Sequence, residues 1–386
     1  MSAVISFFPV GNGDMTLIKT NTGKNILIDC NIRQGDDFPD VVEQLRNKLS
    51  KDSDGRLFID LFVWSHPDLD HCRGIKEEFH LGKPDDWNEN KDKIFINEIW
   101  SSPMVYRRAS KNHKLSDDAK ALNKEIKRRV NVFKDACEAS IGNQVLILGD
   151  DENGKTDDIQ DIVLALDSST SYINSKHDSS FEAKLLGPAP VSELDDDEEN
   201  LSKNKSSAII NYTLTAGDKS ANFLSGGDAE VACWEALLKR MKDNKTESDL
   251  EYDILQAPHH CSWHSLSHDS LSEAKENGTE AKISDDAVEA LGKANDKAFI
   301  VSSSEAIKND DKNPPAFKAK QEYVKILNDV SGSFNCVADH KKNKKNVPLE
   351  IEISSNGIKT KAIASLASSS NATQSAVNRN GGDGYA

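Results

Sequence analysis

The chain has 386 residues, 37% of them hydrophobic and 29% charged, with a net charge of -16 and a mean hydropathy of -0.59. This balance is that of a water-soluble globular protein, and no apolar run approaches the roughly 20 residues of a membrane span. The acidic excess argues against bulk adhesion to nucleic acid, whose affinity comes largely from phosphate neutralisation by Lys and Arg.

The opening stretch, "MSAVISFFP", lacks the basic start and long apolar core of a secretory signal and runs straight into strand-like sequence. A cytoplasmic chain is expected. Cys30, Cys72, Cys137, Cys233, Cys261 and Cys336 are scattered without a C-x-x-C pair, so free thiols are expected.

In chain order, strands are predicted near Val4 to Phe8, Met15 to Lys19 and Asn25 to Asp29, separated by "VGNGD" and "TNTGKN". They read as an antiparallel meander. "GNGD" has no G-K-[ST] ending and is read as a turn that leaves Asp14 near a strand start, not as a phosphate cradle. Val41, Val42, Leu45 and Leu49 have helical spacing, and a strand follows from Leu57 to Trp64. Ala119, Leu122, Ile126, Val130, Phe133 and Cys137 mark another helix, with Ser116-Asp117-Asp118 as its cap.

Around that helix, ten Lys and Arg against three acids lie between Val105 and Lys134. Arg107, Arg108, Arg128 and Arg129 belong to this segment, which reads either as a local nucleic-acid contact or as a solvated helix face. Residues 150 to 205 alternate acidic loops with short apolar runs such as Phe181 to Leu186, and a mobile loop is expected near 190 to 205. Strands at Ala208 to Thr215 and Ala221 to Leu224 precede "SGGDAE" and a helix carrying Val231, Trp234, Leu237, Leu238 and Met241. A strand from Tyr252 to Gln256 then enters "APHHCSWHS".

Beyond it, residues 264 to 295 look like a polar, partly helical insertion. A strand at Ala298 to Ser302, a helix from Phe317 to Val330 and strands near Phe334, Leu349 and Ile358 complete the pattern. The Ser-, Asn- and Gly-rich residues 364 to 386 cannot bury enough surface to stay ordered. Residues 1 to 363 are expected to form one domain with insertions near 101–140 and 264–295.

Three polar clusters, "SHPDLDH", "SGGD" and "APHH", each follow a strand-like run. Strand C-termini are where layered α/β folds assemble sites. His66, Asp68, Asp70 and His71 crowd into six residues. With Asp228 and with His259 or His260 they form a mixed nitrogen and oxygen set suited to zinc or manganese. A lone His or Asp after a strand is usually a capped turn; the combination points to metal.

These motifs resemble the metallo-β-lactamase superfamily, whose signature is H-x-H-x-D-H on the loop after a strand. "VGNGDMTLI", "ILID", "SHPDLDHCRG", "FLSGGDAE" and "LQAPHHCS" are similar to the branch containing the hydrolase domain of ComEC-type DNA-uptake proteins, in which Asp stands where other members have the second His, as Asp68 does here. The resemblance covers about residues 3 to 362. It implies an αββα sandwich of two mixed β-sheets flanked by helices. It also implies two divalent metal ions, Zn2+ or Mn2+, the first bound by His66 and Asp68, the second by Asp70 and His71. Asp228 would bridge them, Asp70 would also orient water, and His260 is favoured over His259 as the last ligand.

The chain departs from the superfamily's pattern in lacking the His that usually precedes the "GD", which implies a weaker site. The expected function is a metal-dependent phosphodiesterase or nuclease, with the basic segment and His264 toward the substrate. A small-molecule hydrolase acting on an ester, thioester, lactone or cyclic nucleotide is the alternative. So is a non-catalytic subunit that meets a protein partner through its acidic surface.

Overall fold

The computed structural model describes residues 2–106, 114–137, 139–149, 154–190, 193–194 and 203–361. Among these, the strands of the two large sheets in chain order are β1 (Ala3–Phe7), β2 (Thr16–Lys19), β3 (Asn25–Ile28), β4 (Phe58–Val63), β5 (Phe95–Ser101), β6 (Gln144–Leu148), β7 (Val163–Leu164) and β8 (Ser169–Thr170). They continue with β9 (Phe181–Gly187), β10 (Ile209–Ala216), β11 (Lys219–Ser225), β12 (Tyr252–Gln256), β13 (Ala294–Ser302), β14 (Ser333–Cys336), β15 (Leu349–Ser354) and β16 (Gly357–Thr360). The main helices are α1 (Val41–Arg46), α2 (Asp117–Ala136), α3 (Val231–Asn244), α4 (Asp285–Leu291) and α5 (Phe317–Asp329).

Two large sheets result. One has nine strands in the order β16-β15-β1-β2-β3-β4-β5-β6-β7, the other seven in the order β8-β9-β10-β11-β12-β13-β14. Each is antiparallel in one half and parallel in the other: β3 through β7 run parallel, as do β11 through β14. The first three strands form the expected antiparallel meander, with Phe7 opposite Thr16 and Thr16 opposite Ile28.

The core is layered. Ile5, Phe7, Leu61, Tyr212 and Phe223 lie between the two sheets, where Phe7 meets Phe223 edge-on at 5.7 Å. On the outer face of the larger sheet, Leu27, Ile59 and Phe62 pack against Leu45, Leu122, Ile126 and Val130 of α1 and α2. On the outer face of the smaller sheet, Leu224, Leu255 and Ile300 pack against Trp234, Leu238, Leu291 and Tyr323 of α3, α4 and α5. The protein is therefore an α/β fold with two mixed sheets back to back and helices outside both.

Local signals explain the helix starts. The Ser116 hydroxyl accepts from the Ala119 amide at 3.1 Å and the Asp40 carboxylate from Glu43 at 2.9 Å, each satisfying an amide that the first helical turn leaves without a partner. The α2 helix buries Leu122, Ile126 and Val130 on one stripe, so the segment near 101–140 contributes core as well as surface. Strands β5 and β6 have no forecast in the sequence reading. In β5 the sequence "FINEIWS" is buried throughout although it carries Asn97 and Glu98, and that charge breaks the apolar pattern by which a buried strand is read.

Six cysteines are unpaired, as expected; five are buried and Cys137 is exposed. Among the described residues no helix is long and apolar enough to cross a membrane. Residues 364–386, most of the acidic loop near 190–205, and Arg107 and Arg108 lie outside the described residues.

Candidate metal centre

Strands β3, β4, β11 and β12 end on the same side of the two sheets, and the antiparallel β2 starts there. Five loops therefore converge: those before β2 and after β3, β4, β11 and β12. Beneath them the Thr16 hydroxyl donates to the Gln256 amide oxygen at 3.0 Å, tying the first strand of one sheet's site to the last strand of the other's.

Asp14, His71, Asp228 and His260 each offer a donor atom within 4.8 Å of one another, and all four are buried. His71 Nε2 lies 3.1 Å from Asp228 Oδ1, His260 Nε2 lies 3.3 Å from the same oxygen, and His260 Nδ1 lies 3.3 Å from Asp14 Oδ1. Donors around a tetrahedral ion with bonds of about 2.1 Å stand roughly 3.4 Å apart. The spacing fits.

The hydrogen bonding fits as well. His71 Nε2, both ring nitrogens of His260, His66 Nε2 and Asp228 Oδ1 are buried and have no hydrogen-bond partner. The atoms lie close to one another yet make no hydrogen bond, so no group of the chain satisfies them. Leaving such atoms buried and unsatisfied is costly; a cation would satisfy His71 Nε2, Asp228 Oδ1 and one ring nitrogen of His260 together. This cluster can hold a metal ion.

Supporting residues fix the ligands. Asp29, at the end of β3, takes His71 Nδ1 at 2.8 Å and also accepts from the Ser65 amide at 2.8 Å and the Ser65 hydroxyl at 2.5 Å. This bond leaves Nε2 of His71 facing the cluster, the usual carboxylate-to-histidine support of a metal ligand. Asp29 has φ 55°, and His259, His260 and Cys261 have φ 51°, 54° and 66°. Left-handed backbone at such non-glycine residues costs free energy and concentrates at functional sites. The strained doublet is pinned by His259 N to Gly227 O at 2.9 Å and by Ala316 N to Cys261 O at 2.9 Å.

Two glycines are dictated by close approach. At Gly13, φ 146°, a Cβ would stand 2.0 Å from the Asn31 amide nitrogen and 2.9 Å from the Asp70 carbonyl oxygen. At Gly227, φ 49°, it would stand 2.8 Å from the Ser65 hydroxyl. The "GNGD" turn thus brings Asp14 into the cluster, with Asp14 N donating to Asp70 O at 3.2 Å.

Electrostatics follow from burial against charge. Burial alone would lower the pKa of His71 and His260, but Asp228 with Asp29 for the first, and Asp228 with Asp14 for the second, raise both; His260 is pushed up to about 10. Burial would raise the Asp228 carboxyl, and the surrounding histidines, His71 first, hold it well below its ordinary range. For Asp70 too, burial is outweighed by the His260 ring and the charge of His71, so it stays a carboxylate. Burial lowers the pKa of His259.

The other sequence-derived candidates divide. His66 is fully buried, with Nε2 3.4 Å from Asp228 Oδ2. Asp70 is half-buried, 3.3 Å from His260 Nε2, and His259 Nε2 is 3.8 Å from Asp228. Neither joins the four-donor set. Asp68 faces His66 at 3.9 Å but is in contact with the Lys203 ammonium. His264 lines a cleft of about 890 Å³ with Lys205, Glu230, Lys239 and His268, none of which is a cluster donor.

The arginines of the basic segment require a correction. Arg129 is fully buried and donates to Glu125 at 2.8 Å, to Gln144 O at 2.9 Å, and to the Ile96 and Asn97 carbonyls at 3.0 and 3.2 Å. Arg128 grips Glu125 with two nitrogens, at 2.7 and 2.8 Å, and Asn143 with a third. Arg129 ties α2 to the sheet from a fully buried position and so does not face a substrate, whereas Arg128, partly exposed, is held against Glu125 and the turn before β6.

Asp14 and Asp29 are the residues the sequence reading did not place in the site. For Asp29 a signal was present, since "ILID" ends a strand with an acid just as the chosen clusters do. No family model and no curated protein matches the chain.

Proposed function

We propose that the chain is a metal-dependent hydrolase of the metallo-β-lactamase type that its motifs resemble, cleaving a phosphodiester. The observation that carries this reading is the set of four buried donors, Asp14, His71, Asp228 and His260, whose atoms converge without hydrogen-bonding one another. Mixed histidine and carboxylate ligation suits zinc and manganese. A divalent cation held there supplies Lewis acidity, polarising a phosphoryl oxygen and making water more acidic.

The chain's own residues supply the rest. Asp14 and Asp228 provide negative charge, Asp29 orients His71, and the strained His259-His260 turn presents His260. Asp70 stands beside the four donors as a carboxylate and takes a proton from the attacking water. The water oxygen forms the new bond to phosphorus, the ester P–O bond breaks, and the leaving oxygen takes up the proton held by Asp70 and departs as the alcohol. Lys203, at the edge of the cluster, can face a phosphoryl oxygen.

The buried Arg129 and the Glu125-held Arg128, together with the net charge of -16, favour a small phosphodiester over a long nucleic-acid backbone. A chromogenic bis-aryl phosphate is the first substrate to try, beside an aryl acetate and single-stranded DNA. Wild type with zinc or manganese should cleave the phosphodiester, and Asp70→Asn should lose that activity while keeping its metal. Cleavage of the acetate alone, or activity retained in Asp70→Asn, contradicts the reading.

A further inference from the structure

The cluster divides its potential ligands unequally. Four donors stand together, while His66, Asp68 and the second oxygen of Asp228 remain for another site, with His66 Nε2 3.4 Å from Asp228 Oδ2 and 3.9 Å from Asp68 Oδ2. The sequence supplies no histidine between His177 and Gly227-Asp228. What that stretch does supply is Lys203, whose ammonium contacts Asp68 Oδ1.

Backbone contacts set the position of Lys203. Ser206 N donates to Lys203 O at 3.0 Å and Ser207 N to Asn204 O at 3.1 Å, forming a tight turn. Ala208 N donates to Ser65 O at 3.0 Å, next to His66, and the Asn204 side chain donates to Glu230 at 3.1 Å, two residues past Asp228. The turn is thus fastened to both loops of the site. Its lysine reaches the carboxylate that a second metal would need.

Resting on the metal-centre reading above, we infer that this chain binds a single metal ion at Asp14, His71, Asp228 and His260, and that the Lys203 ammonium takes the place of a second cation beside Asp68. A fixed positive charge on Asp68 neutralises that ligand and repels a divalent ion at His66. An ammonium has three donors, so Lys203 can hold Asp68 and also meet a substrate oxyanion, the task a second metal performs in a two-metal site. The centre is then half metal and half lysine.

The test is metal stoichiometry of the full chain, by zinc titration calorimetry and by mass-spectrometric counting after desalting. Wild type should bind one equivalent. Lys203→Met, which removes the charge, and Lys203→His, which offers a ligand in its place, should each bind a second. Two equivalents on wild type would overturn the inference while leaving the metal-centre reading intact, and so would one equivalent on both variants. No zinc on any of the three would overturn the metal-centre reading itself, and this inference with it.

Discussion

Two regions of the larger sheet bury charge, and they treat it in opposite ways. Toward the start of the parallel strands, the Asp60 carboxylate accepts from Lys24 and Asn25 N at 2.9 Å and from Asn174 at 3.1 Å. Glu98 accepts from Trp100 at 3.0 Å and Asn174 N at 2.6 Å, and Arg129 finds Glu125 and three backbone carbonyls. Every charged group there has partners; only neutral amide oxygens of Asn25, Gln144 and Asn174 are left over. At the other end, His66 Nε2, His71 Nε2, both ring nitrogens of His260 and one Asp228 oxygen are equally buried and make no hydrogen bond, although they lie within ion-pair range of the site's carboxylates. Burial of charge does not itself mark a site. Burial without internal satisfaction does, because the missing partner must come from outside the chain.

The sharpest way to break this contrast is to remove one charge from the satisfied region. Arg129→Leu leaves Glu125 and three carbonyls without their donor, and removing one partner of a buried pair typically costs about 3–5 kcal/mol. Chemical denaturation should register that loss while metal per chain stays unchanged. Equal stability of the variant would mean that the network is not what holds α2 to the sheet.

A smaller effect is expected one step behind the metal ligands. Asp29→Asn keeps the shape but weakens the support of His71, and loss of such a supporting contact typically lowers metal affinity about 10–100-fold. Competition with a zinc-binding dye reads this directly. An unchanged affinity would remove Asp29 from the centre.

The unsatisfied end should also reveal itself through pH when metal is absent. His260 has its pKa raised from 6.5 to about 10 by Asp228 and Asp14 against the effect of burial. Its charged form therefore stabilises the metal-free fold fully below pH 6.5, and that contribution is lost as pH rises toward 10. Melting temperatures of stripped protein should fall across this window, and less so in His260→Gln; identical slopes would show that another group governs the fall. Smallest of all, Ser116→Ala removes only a helix cap, for about 1 kcal/mol, with no change at the metal.

The same contrast explains what could be read in advance. Periodicity located β1 to β4, β10 to β13 and the long helices because each presents a plain apolar stripe. It failed at β5, where Glu98 lies inside a buried strand and is satisfied by Trp100 and by Asn174, residues no local pattern connects. In the site, His66, His71, Asp228 and His260 were legible because each follows a strand and so reaches the same sheet edge. Asp29 obeys that rule and was passed over. Asp14 precedes its strand, and only the antiparallel sense of β2 brings it to that edge. Lys203 meets Asp68 across a separation of 135 residues, and nothing near it in sequence announces the contact. Arg128 and Arg129 looked like substrate cations because composition counts charges but not the direction in which they point.

The central claim is that the converging, unsatisfied donors form a metal centre. It is tested most directly by metal content per chain, measured by mass spectrometry on wild type, Asp14→Ala and Asp228→Ala purified side by side and resupplied with zinc or manganese. Wild type should retain bound metal, and both variants should come away empty while keeping the wild-type fold by circular dichroism. A wild type that stays empty, or variants that hold metal as well as it does, would contradict the account.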